Sequence, residues 1–302
     1  MSGPEASSPL QGRREGRIEI VTLNRPAQRN AISAALVDEL IAVISAIEND
    51  PDVGALVLVG AGAGFCAGSD LGGLAAMGAA ARRGFEAASG RVARMIAQSP
   101  KPILAAAHGF AMGGGLTLAA ACDIVLTEAD AKWSLPEVPV GLFPAWGLDA
   151  VVRRVGVPAA RRLAWGIDAL SGREAHALGL ADEIVEGNVL SVVMERARAI
   201  AGLPSVQAQA VKRFFSTYCE DEAADIAANG LFIEMTKTAE ADATFRRFGS
   251  GSVARKSTGG RADNTASKPG PLGLLRAHSI LKFFDLAGVE KFKRRWARGE
   301  RL

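Results

Sequence analysis

His108-Gly109-Phe110-Ala111-Met112-Gly113-Gly114-Gly115 follows an apolar run from Pro102 to Ala107 and leads into Leu116 to Ala121. The order is strand, glycine turn, helix. Three successive glycines at a helix start leave backbone N–H groups without intrahelical acceptors, with the positive end of the helix dipole behind them. Glycine there also lets a ligand carbonyl approach the backbone closely. A second glycine turn, Phe65-Cys66-Ala67-Gly68-Ser69-Asp70, lies upstream, and Trp133-Ser134-Leu135-Pro136-Glu137-Val138 supplies a carboxylate downstream. Two N–H donors and one acid/base group are the minimum equipment for polarising a carbonyl and moving a proton beside it.

Working outward, Arg17 to Leu23 alternates like a half-buried strand and ends at Asn24-Arg25-Pro26. Ser33 reads as the N-cap of a helix with Leu36, Leu40, Ile44 and Ile47 on one face, stopped at Asp50-Pro51. Ala55 to Val59 is a continuous apolar strand with Gly60 to Gly64 as its exit. Leu71 to Gln98 predicts a helix interrupted by glycines, a candidate mobile pocket wall. Asp123 to Thr127 and Glu183 to Val185 read as strands. Pro158 to Leu180 reads as helical with Gly179 as a C-cap, and helices dominate from Val189 to about Phe248. Repeated strand–helix units followed by a helical C-terminal half predict an α/β class.

The chain has 302 residues, 49% of them hydrophobic and 22% charged, as expected for a globular protein with ample core. No run approaches the roughly 18 apolar residues needed to span a bilayer, and residues 1–11 lack the apolar centre of a signal peptide. Cys66, Cys122 and Cys219 are scattered, as are His108, His176 and His278. They outline neither a disulfide framework nor a metal site, and a reducing cytoplasmic setting is expected. From Arg246 onward there are 14 Lys/Arg against 4 Asp/Glu, a balance of +10 within an overall charge of +3. Residues 1–15 are expected to be flexible and residues 249–302 to form a basic linker and helical tail. The tail is expected to dock on the body or a neighbouring subunit, with a membrane surface or acidic partner as the alternative.

Gly60-Ala61-Gly62-Ala63-Gly64-Phe65 invites a dinucleotide-binding reading, but the third glycine of GxGxxG falls on Phe65. No GxxxxGK[ST] loop is present. Basic residues are not interleaved with aromatics in the body, which argues against nucleic-acid binding.

Together the motifs resemble the crotonase (enoyl-CoA hydratase/isomerase) superfamily. The matching stretches are Leu23-Asn24-Arg25-Pro26 through Asn30-Ala31, Phe65 through Leu71, His108-Gly109 through Gly115, Cys122-Asp123-Ile124, Pro136-Glu137-Val138, Gly141 through Pro144, and Ala177 through Asp182. They cover about residues 15–245 in the family's order. The resemblance implies a spiral of ββα repeats over residues 16–200 and a helical trimerisation region over 201–248. Homotrimers or homohexamers are expected, with no cofactor beyond coenzyme A carried in as part of an acyl thioester. The Ser69 and Gly114 N–H groups become an oxyanion hole, flanked by Gly68, Leu71 and Gly113. The backbone around Arg29, Ala31 and Ala67 meets the adenine end of coenzyme A, and Arg25 or Arg29 its phosphates.

The departure from the family pattern is Thr117, three residues past Gly114, where hydratases carry a first glutamate; the second position is Glu137. A threonine is no general base at neutral pH. One carboxylate suffices to take a proton from one carbon and return it to another, so double-bond isomerisation is the expected reaction. Hydration with a recruited second acid is the alternative, as is a non-catalytic acyl-CoA-binding scaffold. Asp70 and Asp149 are the candidates for recruitment, set against roles as a helix cap and an exposed helix residue. Cys66 reads as core rather than nucleophile. Met77, Phe85, Trp133, Phe143 and Trp146 are candidates for an acyl pocket, each with a core role as its alternative.

Overall fold

The computed structural model describes residues 8–218 and 222–253. Cys219, His278 and the tail beyond Val253 lie outside the described residues. The chain opens on a strand pair, β1 (Leu10–Glu15) and β2 (Ile18–Leu23), joined through Gly16 at φ +57° and paired antiparallel. The expectation of a flexible N-terminus is therefore corrected for Leu10–Glu15. β1 is an exposed, polar edge strand, so it carries no apolar alternation to read; the ladder to β2 orders it.

β2 then pairs in parallel with β3 (Ala55–Gly60), which continues through β4 (Ile103–Ala107) and β6 (Ile124–Glu128) to β9 (Glu183–Val185). A smaller sheet holds β5 (Phe110–Met112), β7 (Lys132–Ser134) and β8 (Leu170–Ser171). Successive turns place one strand in the large sheet, the next in the small one, and then a helix: β4, β5 and α4 (Gly114–Ala121), then β6, β7 and α5 (Leu148–Ala164). This is the ββα spiral. β3 is apolar throughout because both its faces are covered. Leu56 and Leu58 join one core cluster with α1 (Ala34–Glu48), while Ala55, Val57 and Val59 join another with α7 (Val189–Ala201).

Ser33 caps α1 by accepting from the Leu36 N–H, and Leu36, Leu40, Ile44 and Ile47 are buried along one stripe. The glycine-laden stretch resolves into α2 (Leu71–Ala76) and α3 (Ala79–Gln98), broken at Met77-Gly78. The helix expected from Pro158 starts earlier. α5 begins at Leu148 and kinks at Gly156 (φ +73°), with Pro158 just inside its second half, where a missing N–H does no harm. Between them come α6 (Gly172–Leu178), with a Ser171–Glu174 capping box, and Gly179 in the left-handed region as predicted. α8 (Ser205–Ser216), α9 (Glu222–Met235) and α10 (Ala239–Val253) complete the described chain. α10 carries past the boundary expected at Gly249 because it packs on α2; a methyl group on Gly249 would meet Ala75 Cβ at 3.3 Å.

Candidate active site

The two glycine turns meet where the sheets diverge. Ile32 and Ser69 form a parallel bridge in which the Ile32 N–H donates to the Gly68 carbonyl and the Asp70 N–H to the Ile32 carbonyl. That pattern passes over the Ser69 N–H. Gly114 opens α4, so its N–H has no carbonyl one turn back. The turns touch: a methyl group on Gly68 would lie 3.3 Å from the Gly114 nitrogen, and one on Gly115 would lie 2.3 Å from the Cys66 carbonyl oxygen. Close approach therefore requires glycine here. Gly113 at φ +53° turns the chain into the helix and donates its N–H to Ser134.

Glu137 reaches this point from the other side. Its carbonyl accepts from the Val140 and Leu142 N–H groups, which fixes a tight turn after β7. Its backbone is partly exposed, but the carboxyl is turned inward. Oε1 would lie 2.6 Å from a methyl on Gly113, and Oε2 is buried with no hydrogen-bond partner. Burial pushes the Glu137 carboxyl up to about 7, countered slightly by its own N–H. A carboxyl near neutrality beside two N–H donors is suited to proton transfer at a carbon next to a polarised carbonyl.

A cavity of about 60 Å³ lies in front of these groups, lined on one side by Ala67, Gly68, Ser69, Leu71, Gly113 and Gly114. Thr117, Glu137, Phe143 and Trp146 also line it. Other predicted residues lie away from the cavity. Trp133 is wholly buried in the core, its indole N–H donating to the Thr127 hydroxyl at 3.1 Å, so its acyl-pocket assignment is corrected. Phe85 and Met77 pack in or against the same core. Arg25 pairs with Asp70 at 2.8 Å and donates to the Ala31 carbonyl. Arg29 stacks on Phe110, 4.3 Å from the ring centre. Asp70 caps α2 by accepting from the Gly73 N–H, and Asp149 pairs with Arg153 one turn along α5. Neither aspartate lines the cavity. Burial pushes the Cys66 thiol up to about 12, in keeping with a core role.

With this geometry established, comparison with known proteins becomes informative. A family model described as Enoyl-CoA hydratase/isomerase matches residues 13–249. The chain belongs to that family. The Short-chain-enoyl-CoA hydratase of Clostridium acetobutylicum is 36% identical over 190 residues, 62% of this chain and 72% of that protein. The 2,3-dehydroadipyl-CoA hydratase of Escherichia coli is 31% identical over 66% of this chain and 78% of its own length. A crystal structure of an enoyl-CoA hydratase/isomerase from Mycobacterium paratuberculosis superposes with a TM-score of 0.75 at 26% identity, covering 80% of this chain and 99% of that one. The crotonase-type fold is thus shared.

Within this cavity, Thr117 occupies the face of α4 expected for a first glutamate. It is 1% exposed, and its hydroxyl donates to the Gly114 carbonyl at 3.1 Å. One ionisable residue of the cavity escaped the sequence reading. Glu86, on α3, is 2% exposed and lines the cavity with Glu137. Burial first and the Glu137 charge second push its carboxyl up to about 8, while the Trp146 indole N–H, donating to it, pulls the other way. Its sequence signal was a lone acid between Phe85 and Ala87 on a helix face that is otherwise buried. Among the described residues, no group of three or more His, Cys, Asp or Glu is placed to hold a metal ion. No helix among them is long and apolar enough to cross a membrane.

Proposed function

We propose that this protein moves a proton at C2 of an enoyl-CoA thioester. The thioester oxygen is held by the Ser69 and Gly114 N–H groups as the enolate forms, and Glu137 carries the proton. The observation that supports this best is the buried Glu137 carboxyl against Gly113, with one oxygen unpartnered. A 3-enoyl thioester gives up a C2 proton to Glu137, the double bond shifts into conjugation, and the same carboxyl returns the proton to C4. Hydration of a 2-enoyl thioester is the second reading, favoured by the hydratase names of the relatives and by a second carboxyl in the cavity.

In this proposal the adenine end of coenzyme A lies along the backbone of Arg29, Ala31 and Ala67. The Arg25–Asp70 pair and the Arg29–Phe110 stack brace that edge. The setting is cytoplasmic. Assembly into trimers would cover the exposed apolar side chains of α8, among them Val211, Phe214 and Phe215.

The test is mass-resolved product analysis in D2O with 2-hexenoyl-CoA and 3-hexenoyl-CoA offered separately. Conversion of the 3-enoyl to the 2-enoyl compound marks isomerisation, and a product heavier by D2O marks hydration. In either case Glu137→Gln abolishes turnover while thioester binding survives. Binding without turnover by the unaltered protein would instead mark a scaffold.

A further inference from the structure

We infer that Glu86 is a second catalytic acid/base of this site, acting with Glu137 on the two ends of the double bond so that the protein adds water to 2-enoyl thioesters. The inference rests on the enoyl-thioester reading above. It is carried by placement. Glu86 comes from α3, an element the glycine motifs do not touch, yet its carboxyl is delivered into the cavity that Ser69, Gly114 and Glu137 line.

That placement is held by a specific set of contacts. The Trp146 indole donates to Glu86, while its ring edge lies where a methyl on Gly114 would meet Cζ2 at 2.8 Å. Glu86 and the oxyanion turn are thus braced by one side chain. Four residues along α3, Gly90 leaves room for Asp225 of α9; a methyl there would lie 2.7 Å from Asp225 Oδ2. Asp225 accepts from the Gly147 N–H at 3.1 Å and pairs with Arg94 of α3. The Phe143–Gly147 loop, α3 and α9 are fixed together around Glu86. Among the described residues, no basic side chain lines the cavity to neutralise it. Besides Glu137, the described residues that line the cavity with it are Ser69 and Thr117 with their hydroxyls, Trp146, and apolar side chains, Leu74, Phe143 and Phe232 among them.

Two carboxyls in one apolar cavity resist ionising together, so at neutral pH the pair holds one proton. Burial and the Glu137 charge both hold Glu86 in its protonated form, so Glu86 keeps the proton and Glu137 is the charged member. The addition then balances. The oxygen of a water bonds to C3 while one of its protons passes to the Glu137 carboxylate. The π pair of the double bond moves through the enolate held by Ser69 and Gly114. Glu86 gives its proton to C2. The product is a 3-hydroxyacyl thioester, the two carboxyls have exchanged charge, and one proton passing between them restores the start.

The experiment compares the full-length protein with Glu86→Gln, Glu86→Asp and Glu137→Gln on 2-hexenoyl-CoA and 3-hexenoyl-CoA across pH. Glu86→Gln is expected to lower kcat for hydration by about 10²–10⁴ with KM within about threefold. It also removes the fall in kcat at alkaline pH, which reports loss of the Glu86 proton, while isomerisation survives. Glu86→Asp keeps a carboxyl and restores an alkaline fall at a shifted pH. A purely structural role would lower the rate without moving that limb. If Glu86→Gln does not fold, Glu86→Asp decides alone: a shifted limb supports the assignment and an unchanged limb overturns it. Hydration by Glu86→Gln with wild-type rate and pH profile overturns it too, as does a wild-type protein that isomerises but never hydrates. Those outcomes leave Glu137 in place. Wild-type turnover by Glu137→Gln, or no reaction of the wild type with either thioester, removes the enoyl reading and Glu86 with it.

Discussion

One wall of the cavity, Ala67 to Ser69 with Gly113 and Gly114, is backbone; the other, Glu86, Phe143 to Trp146 and Phe232, is side chain. The first is fixed by strand bridges, and Gly68 and Gly113 supply the positive φ angles that its turns require. The second depends on three elements distant in sequence, fastened by an indole hydrogen bond and one aspartate. In the proposed reaction the backbone wall sets where negative charge can form on the thioester oxygen, and that is common to every reaction of an enolate. The side-chain wall sets where protons are available, and so which enolate reaction follows.

The largest expected effects compare the walls directly. Glu137→Gln removes the proton carrier and lowers kcat by about 10²–10⁴ with the fold intact. Gly114→Ala keeps the backbone N–H proposed as an oxyanion donor but sets a methyl against Trp146 and Ile32 that displaces it; a donor moved out of reach costs about 10²–10³ in kcat. If Gly114→Ala hydrates normally, the backbone wall is not where the oxygen sits.

Next in size is the pH dependence of stability. Glu137 and Glu86 both have folded-state values raised above the ordinary 4.5, so the native state holds these protons more tightly than the unfolded chain. Their contribution is whole below about 4.5 and is lost as pH rises through about 7 to 8. For Glu137 the loss is about 3 kcal/mol, at about 1.4 kcal/mol per unit. Urea midpoints should therefore fall between pH 5 and 9, and fall less in Glu137→Gln and Glu86→Gln. Equal slopes in all three proteins would mean that neither carboxyl is desolvated.

Asp225→Asn tests the fastening of the side-chain wall. It weakens the pair with Arg94 and removes a charged acceptor from the Gly147 N–H. A loss of about 1–3 kcal/mol is expected, with a lower hydration rate. Isomerisation, which needs only Glu137 and the backbone wall, should change less. Equal losses in both reactions would mean that the two walls are not separable.

The same division decides what was legible in the sequence. Ser33 capping α1, Gly113 opening α4 and Gly179 ending α6 are local signals, because a cap or a left-handed glycine is specified by its neighbours in the chain. The two glycine turns and Glu137 stood out for the same reason. Glu86 did not. Its environment is made by Trp146, Leu74 and Phe232, brought to it by folding, and nothing beside it in the chain announces that. β1 was missed because an exposed edge strand carries no apolar period. Trp133 was misassigned because an aromatic residue four places before Glu137 reads equally well as pocket or core. β7 turns it inward to Thr127.

The smallest predicted effect falls on Thr117, which lines the cavity where the walls meet. Its hydroxyl is already engaged with the Gly114 carbonyl at 3.1 Å, and its Cβ lies 2.7 Å from where a methyl on Gly147 would be. Thr117→Val keeps the branched shape that fills this gap and removes only the hydroxyl. The Gly114 carbonyl keeps its place in the α4 ladder, so the change should cost under about 1 kcal/mol. If Glu137 and Glu86 carry the protons, kcat/KM for 2-hexenoyl-CoA stays within about threefold of wild type. A fall of tenfold or more, about 1.4 kcal/mol of transition-state stabilisation, would make the Thr117 hydroxyl part of the proton path. Glu86 would then be the weaker claimant, because a hydroxyl at the family's first glutamate position would be ordering the water that Glu137 activates.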